Sequence, residues 1–417
     1  MKIFPVVTLG LLLALCRLRA AELSWHPGAN MDSQLFPSLV IATATVRPDE
    51  EEKNDPEVLG DAYGAVGVSI KSPAPNTKVR VTVLENVAMN KSSWSGVLEK
   101  ADVEYYIAPK VSYKFEQLRK VQQQVPLNVT FAVEVADKSV GEQSETLTLR
   151  SINDCPFGVS DAEETIDPEN ADDEAEEKKS EESEESSGGG FNDMGWMFAA
   201  YVNESSPIVD KILKEALATG IVDHFGGYQG DRDDVLREIF AVWSALQDRG
   251  IKYSNITTTP GSSPTVYSQH VRFVDESLAN EQANCVDGSV LFCSILRKLG
   301  LRSFLVAVPG HMYMGVYLAA EGDDRLALET TLIGATVAED ADISGVTGLE
   351  EIHDALDEEI AEGDGWKSFV TALVVGSQNL SKNHAKFEAA DDPQYQIIDI
   401  DESRKDGIMP ISYMKSE

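Results

Sequence analysis

The sequence predicts a multidomain chain, with an all-β sandwich in its N-terminal part and an α+β unit in its C-terminal part. Three observations predict it. Short segments with alternating or β-branched residues recur between residues 39 and 150. A strongly acidic run then interrupts the chain at residues 161–187. Beyond that run, apolar residues recur at the spacings of a helix packed on a core. A length of 417 residues suits two or three such units.

Residues 1–21 read as a secretion signal. Lys2 precedes an apolar stretch at residues 3–15, and Arg19-Ala20-Ala21 offers small residues for cleavage. That stretch is too short to span a bilayer. Cys16 would suit a lipoprotein, but Leu15 before it is bulky where a lipidation site takes a small residue, so cleavage near Ala20 or Ala21 is favoured. No other run approaches the length of a membrane span. The expectation is a secreted or periplasmic protein with no transmembrane segment once the signal is removed.

Residues 22–158 are expected to form the sandwich. Its strand candidates are residues 39–46, 65–70, 78–84, 103–108, 127–135 and 145–150, separated by turn residues such as Ser72-Pro73-Ala74-Pro75-Asn76. Strand number and spacing suit an immunoglobulin-like architecture. The cysteine–tryptophan–cysteine signature of true immunoglobulin domains is absent, and no residue cluster here resembles a catalytic site.

Residues 159–190 are expected to be an acidic linker. Residues 161–187 hold 14 acidic and 2 basic side chains, a net −12 of the chain's −35, and Gly188-Gly189-Gly190 follows. So little apolar surface cannot order a segment, and like charges extend it. The overall negative charge excludes nucleic acid as a partner, because phosphates would be repelled.

Residues 191–417 read as the α+β unit. Helices are expected at 208–217, ahead of Gly220, and at 233–248, where Val235, Ile239, Trp243 and Leu246 share one face and Gly250 stops the run. An acidic helix is expected at 348–363 and a more apolar one at 366–380. The polar stretch 253–264 is a long loop leading toward position 285, and loops of that length are often functional.

The chemistry concentrates in Asn284-Cys285-Val286-Asp287-Gly288-Ser289, His311 and Glu329. Val286, Val290, Leu291, Ile295 and Leu296 make an amphipathic helix that ends at Gly300, so Cys285 falls at its first turn. Residues 304–308 and 312–318 read as strands with His311 at the start of the second, and a third strand from 326 carries Glu329. Antiparallel pairing would set His311 beside Glu329, with the helix presenting Cys285 opposite. A thiolate is the nucleophilic form of cysteine, and helix N-termini and imidazolium neighbours favour it. A histidine moves the proton, and a carboxylate on its other nitrogen fixes its tautomer. Taken singly, such a cysteine is usually a small buried group, such a histidine a turn residue and such a glutamate a solvated one. Their joint order on these elements points to a built site with Cys285, His311 and Glu329 as catalytic residues.

These segments resemble the transglutaminase-like superfamily. Cys285-Val286-Asp287-Gly288-Ser289 is similar to its C-x-D-x-A, and Ile295-Leu296-Arg297-Lys298-Leu299-Gly300-Leu301-Arg302 to the end of its cysteine helix. Gly310-His311-Met312-Tyr313-Met314-Gly315-Val316-Tyr317 resembles its histidine strand, and Glu329-Thr330-Thr331 stands at its D-P-T. The resemblance covers residues 250–333. It implies a papain-like fold, with Cys285 as nucleophile, His311 as base and Glu329 as orienting acid. Glu329 replaces the usual aspartate, Tyr313 a tryptophan, Gly315 a glutamate and Thr330 a proline. Gln269-His270-Val271-Arg272, Ile398-Asp399-Ile400 with Arg404, and the segment from Gly407 to Ile411 look like parts of secreted bacterial members.

Removal of the signal would leave Cys155, Cys285 and Cys293, an odd number and no disulfide framework. Cys285 and Cys293 stand about 12 Å apart along one helix, too far to pair. Cys155 and Cys293 could pair across domains, although Cys293 buried in the helix core is the favoured reading. Asp399-Ile400-Asp401-Glu402-Ser403 starts like a calcium loop, but Arg404 stands where the turn glycine belongs. No HExxH, CxxC pair or phosphate-cradling glycine loop occurs, so no metal or cofactor is expected. The expected activity is acyl transfer at amide bonds of a protein or peptide substrate through a Cys285 thioester, as a peptidase or amidase or as a glutamine cross-linker. The rival expectation is a non-catalytic module of the same fold that binds protein or glycan at the cell envelope.

Overall fold

Alternation builds the longest hairpin of the molecule, where Val125–Val135 runs antiparallel to Lys138–Leu149. Leu127, Val129, Phe131 and Val133 are buried while Asn128 between them is exposed, the period of a strand with one covered face. Ala136 and Asp137 turn the chain at φ 48° and 64°, the left-handed geometry of a two-residue hairpin loop. The computed structural model of the protein describes residues 23–46, 55–61, 63–160, 191–255, 263–337, 348–389 and 394–412. The expected secretion signal and residues 161–190 of the expected linker lie outside these.

The protein is a mixed α/β molecule with several sheets. Before residue 161 the strands are β1 (Ser24–Ala29), β2 (Gln34–Leu35), β3 (Val58–Gly60), β4 (Val66–Lys71), β5 (Thr77–Val83), β6 (Ser92–Leu98), β7 (Glu104–Ala108), β8 (Val125–Val135), β9 (Lys138–Leu149) and β10 (Asp154–Ser160). They form a four-stranded sheet ordered β1-β4-β7-β3 and a five-stranded sheet ordered β2-β9-β8-β5-β6, with β10 in neither. Val68 and Ile107 of the first sheet and Val81 and Phe131 of the second join one buried cluster.

Strands β4, β5, β7 and β8 stand where alternation predicts them. The segment expected at 145–150 is the end of β9, which begins at Lys138. Residues 39–46 are not a strand. Pro37–Ala42 is a helix with Pro37 in its first turn, and Ser38, Ile41 and Ala42 are buried. The β-branched run misleads here. Proline favours a helix start, and tertiary contacts hold the turn: Ser38 Oγ donates to Asp154 O at 2.6 Å and Met409 N to Ala42 O at 2.9 Å.

After residue 190 come β11 (Phe191–Asp193), β12 (Lys252–Tyr253), β13 (Val266–His270), β14 (Gln282–Ala283), β15 (Ser303–Val308), β16 (His311–Tyr317), β17 (Arg325–Leu328) and β18 (Gln396–Asp399). The last four make a sheet ordered β17-β16-β15-β18, and β12 pairs with β14. Strand β10 lies between β11 and β13, so the expected border at 158/159 falls inside a strand shared with the later part of the chain.

Helices Cys285–Lys298 and Asp364–Lys382 pack on the sheet β17-β16-β15-β18, with Pro207–Ala218 against the first and Arg232–Asp248 against the second. Trp243 is fully buried and donates its indole N–H to Ser368 Oγ at 2.9 Å, which ties Arg232–Asp248 to Asp364–Lys382. The acidic helix expected at 348–363 is two short helices, Leu349–Ala355 and Glu358–Ala361, separated by extended Leu356 and Asp357. One continuous helix would stack Glu350, Asp354, Glu358 and Glu362 at four-residue spacing, and like charges repel there. No helix among the described residues is long and apolar enough to cross a membrane.

Candidate active site

The helix Cys285–Lys298 begins with a reciprocal cap. Asp287 N donates to Asn284 Oδ1 at 2.9 Å, and Asn284 N donates to the Asp287 carboxylate at 3.2 Å. Asp287 is 1% exposed and also receives Arg272 N and Arg272 Nη1, each at 2.8 Å. Burial raises its carboxyl above the ordinary value, and Arg272 and the backbone donors oppose that rise. With its cap thus held, Cys285 is the first residue of the helix and is half-buried.

Ser289 and Gly288 join the helix to the next element. Ser289 Oγ donates to Cys285 O at 2.7 Å and lies 3.2 Å from Thr330 Oγ1. A Cβ on Gly288 would stand 3.0 Å from the same Thr330 oxygen, so only glycine leaves full room for this approach.

His311 opens β16, opposite Val308, after the tight turn at Gly310 with φ 68°. Glu329 is expected within the third strand, but β17 ends at Leu328, so Glu329 follows it directly and starts the short 3-10 turn Thr330–Leu332. Pairing of Met314 with Leu328 sets the register that brings the two together. His311 Nε2 lies 2.7 Å from Glu329 Oε2. The other carboxylate oxygen accepts from Thr331 Oγ1 at 2.6 Å and Thr331 N at 3.2 Å. Glu329 N donates to Ala372 O at 3.0 Å, which anchors this turn on the helix Asp364–Lys382.

Cys285 completes the arrangement. Interaction with its side chain, then the bond to Glu329, pushes the His311 imidazole up to about 10 against the opposing effect of burial. Burial alone would raise Glu329, but the bonds from His311 and Thr331 outweigh it and hold the carboxyl below its usual range. All three sequence-derived residues therefore meet. With Nε2 facing Glu329, Nδ1 is the nitrogen left for the thiol.

Two tyrosines flank them. The Tyr313 ring stacks 6.2 Å from His311, and its buried phenol oxygen has no hydrogen-bond partner among the described residues. Tyr253 of β12 is half exposed; burial, then the negative groups at Cys285 and Glu329, raise its phenol. Sequence reasoning did not single out Tyr253. The only signal was its place at the head of the loop leading toward Cys285.

Cys155 and Cys293 are buried free thiols, so they do not pair. Burial raises both, Cys293 to about 12, and the latter donates to Phe304 O at 3.7 Å. Asp399 caps the helix Ile400–Lys405, and Asp401 pairs with Arg297 at 2.7 Å. Among the described residues, no group of three or more His, Cys, Asp or Glu is placed to hold a metal ion. Comparison with known proteins finds no matching family model and no matching curated protein.

Proposed function

We propose that the protein is an exported, cysteine-dependent acyl transferase acting on amide bonds of a protein or peptide, built as an immunoglobulin-like sandwich followed by a papain-like core of transglutaminase type. The observation that carries this reading is the 2.7 Å contact of His311 with the Glu329 carboxylate, on a strand and a turn packed against the helix that Cys285 begins. The thiolate attacks the amide carbonyl carbon. The C–N bond breaks, the leaving amine takes the imidazolium proton, and a thioester remains on Cys285. His311 then removes a proton from water or an amine as it attacks the thioester, and the thiol leaves with that proton. Glu329 holds the imidazole in one tautomer throughout. Hydrolysis and cross-linking share the thioester and differ only in the second nucleophile. Export is supported by the leader-like residues 1–21.

The test is alkylation of the intact protein by iodoacetamide near pH 6, with the modified residue located by mass spectrometry. Cys285 is expected to react at least about tenfold faster than a small free thiol. A rate no faster than that thiol would replace this reading with a non-catalytic binding module of the same fold.

A further inference from the structure

The chain before the acidic segment reaches into the surroundings of Cys285. Strand β10 precedes that segment, yet Asp154 pairs with His270 and Pro156 with Ser268 of β13, while Ser160 pairs with Phe191 of β11. Ser160 and Phe191, which flank the acidic segment, therefore stand side by side in one sheet. A spacer that separates two independent bodies would not have its ends paired.

This junction is built from buried polar groups. Arg150 and Asp154 form an ion pair at 2.9 Å with side chains 2% and 0% exposed. Asn153, also buried, donates from Nδ2 to Val271 O at 2.9 Å and to Glu276 Oε2 at 2.7 Å, and its own carbonyl accepts from Val271 N at 2.8 Å. The next residue, Arg272, gives its backbone N–H and its guanidinium to Asp287. Asp287 in turn caps the helix that Cys285 begins. Three consecutive residues, Val271 to Phe273, are thus clamped by Asn153 and Glu276 on one side and by Asp287 on the other.

We propose that Asn153 is a positioning residue for Cys285, acting through Val271, Arg272 and Asp287, and that the chain before residue 161 is a working part of the site. The inference rests on the reading of Cys285 as nucleophile. It assigns the early chain a role that an appended binding domain would not have. Removing the Asn153 amide leaves Val271 O buried without its donor, and the segment 271–273 that follows β13 can then shift under the cap. Displacements of about 1 Å at a reacting group are enough to cost orders of magnitude in rate.

Two measurements test it. First, a protease site is introduced within residues 161–190 of the full chain and the purified protein is cut there. The two pieces are expected to co-elute as one species and to keep the alkylation rate of the uncut protein. Separation of the pieces in native buffer, with loss of neither fold nor rate in the later piece, overturns the proposal. Second, the pH profile of Cys285 alkylation is compared between wild type and Asn153→Ala. The variant is expected to lose about tenfold near pH 6 and little near pH 9, where an ordinary accessible thiol is largely ionised without help. A merely structural residue would leave the profile of the folded protein unchanged, and that result overturns the proposal. If Asn153→Ala does not fold, Arg272→Lys breaks the two-pronged contact with Asp287 in the same route and is read the same way. Slow wild-type alkylation near pH 6 overturns the nucleophile reading and this inference with it. Fast alkylation in wild type and variant alike overturns this inference alone.

Discussion

Glu329 and His311 meet at 2.7 Å although neither lies inside the same element as the other: His311 opens one strand and Glu329 follows the end of its neighbour. Their contact exists because antiparallel register places the start of β16 beside the end of β17. The backbone of Glu329 is anchored separately on Ala372, so the carboxylate is held from two directions.

Replacing that carboxylate separates orientation from mere charge balance. Glu329→Gln is expected to keep the fold and lower the alkylation rate of Cys285 near pH 6 by about a hundredfold, since the amide can present the wrong face to Nε2. Glu329→Asp is expected to retain more of the rate. Equal profiles for all three proteins would remove Glu329 from the mechanism.

Stability should carry the signature of the imidazolium. His311 is raised from 6.5 to about 10 in the folded protein. A base raised on folding contributes stability that is fully present below its unfolded value and is lost as pH rises through the folded one. The urea midpoint of wild type should therefore exceed that of His311→Gln most clearly near pH 6, and the gap should shrink steadily between about pH 7 and pH 10. A gap that widens over that window would contradict the assignment of the charge.

The cap of the cysteine helix offers a sharper stability test. Arg272→Ala leaves the Asp287 carboxylate buried without its guanidinium, a loss expected to cost about 3 kcal/mol. Asp287 already stands above the ordinary carboxyl range, so acidification should protonate it and reduce the deficit relative to wild type. Equilibrium denaturation at neutral and acid pH reads both effects, and a deficit independent of pH would point to lost packing instead.

Gly376 controls how closely the helix Asp364–Lys382 approaches β17. A Cβ there would stand 2.6 Å from Ala327 O and 2.8 Å from Leu328 N. Alanine gains about 1 kcal/mol over glycine in a helix interior, but this contact is with strand backbone that cannot yield without moving Glu329. Gly376→Ala is expected to destabilise by about 2 kcal/mol net and to slow alkylation near pH 6. A more stable variant with wild-type alkylation would show that the helix can be displaced harmlessly.

The sequence by itself determined what local chemistry decides. The spacing of Val286, Val290, Leu291, Ile295 and Leu296 ahead of Gly300 specifies the cysteine helix, the two-residue alternation of residues 127–135 specifies a strand, and the types and order of Cys285, His311 and Glu329 mark candidates for a nucleophile, a base and an acid. Only the tertiary structure decided that residues 37–42 coil into a helix, that β10 lies between β11 and β13, and that Tyr253 pairs with Ala283, two residues before Cys285. Periodicity reports that a face will be covered, not by what. The entropy of closing a loop grows only slowly with its length. A strand is therefore nearly as free to pair with one about a hundred residues away as with its neighbour, and side-chain fit at the junction, here Asn153 against Val271, makes the choice.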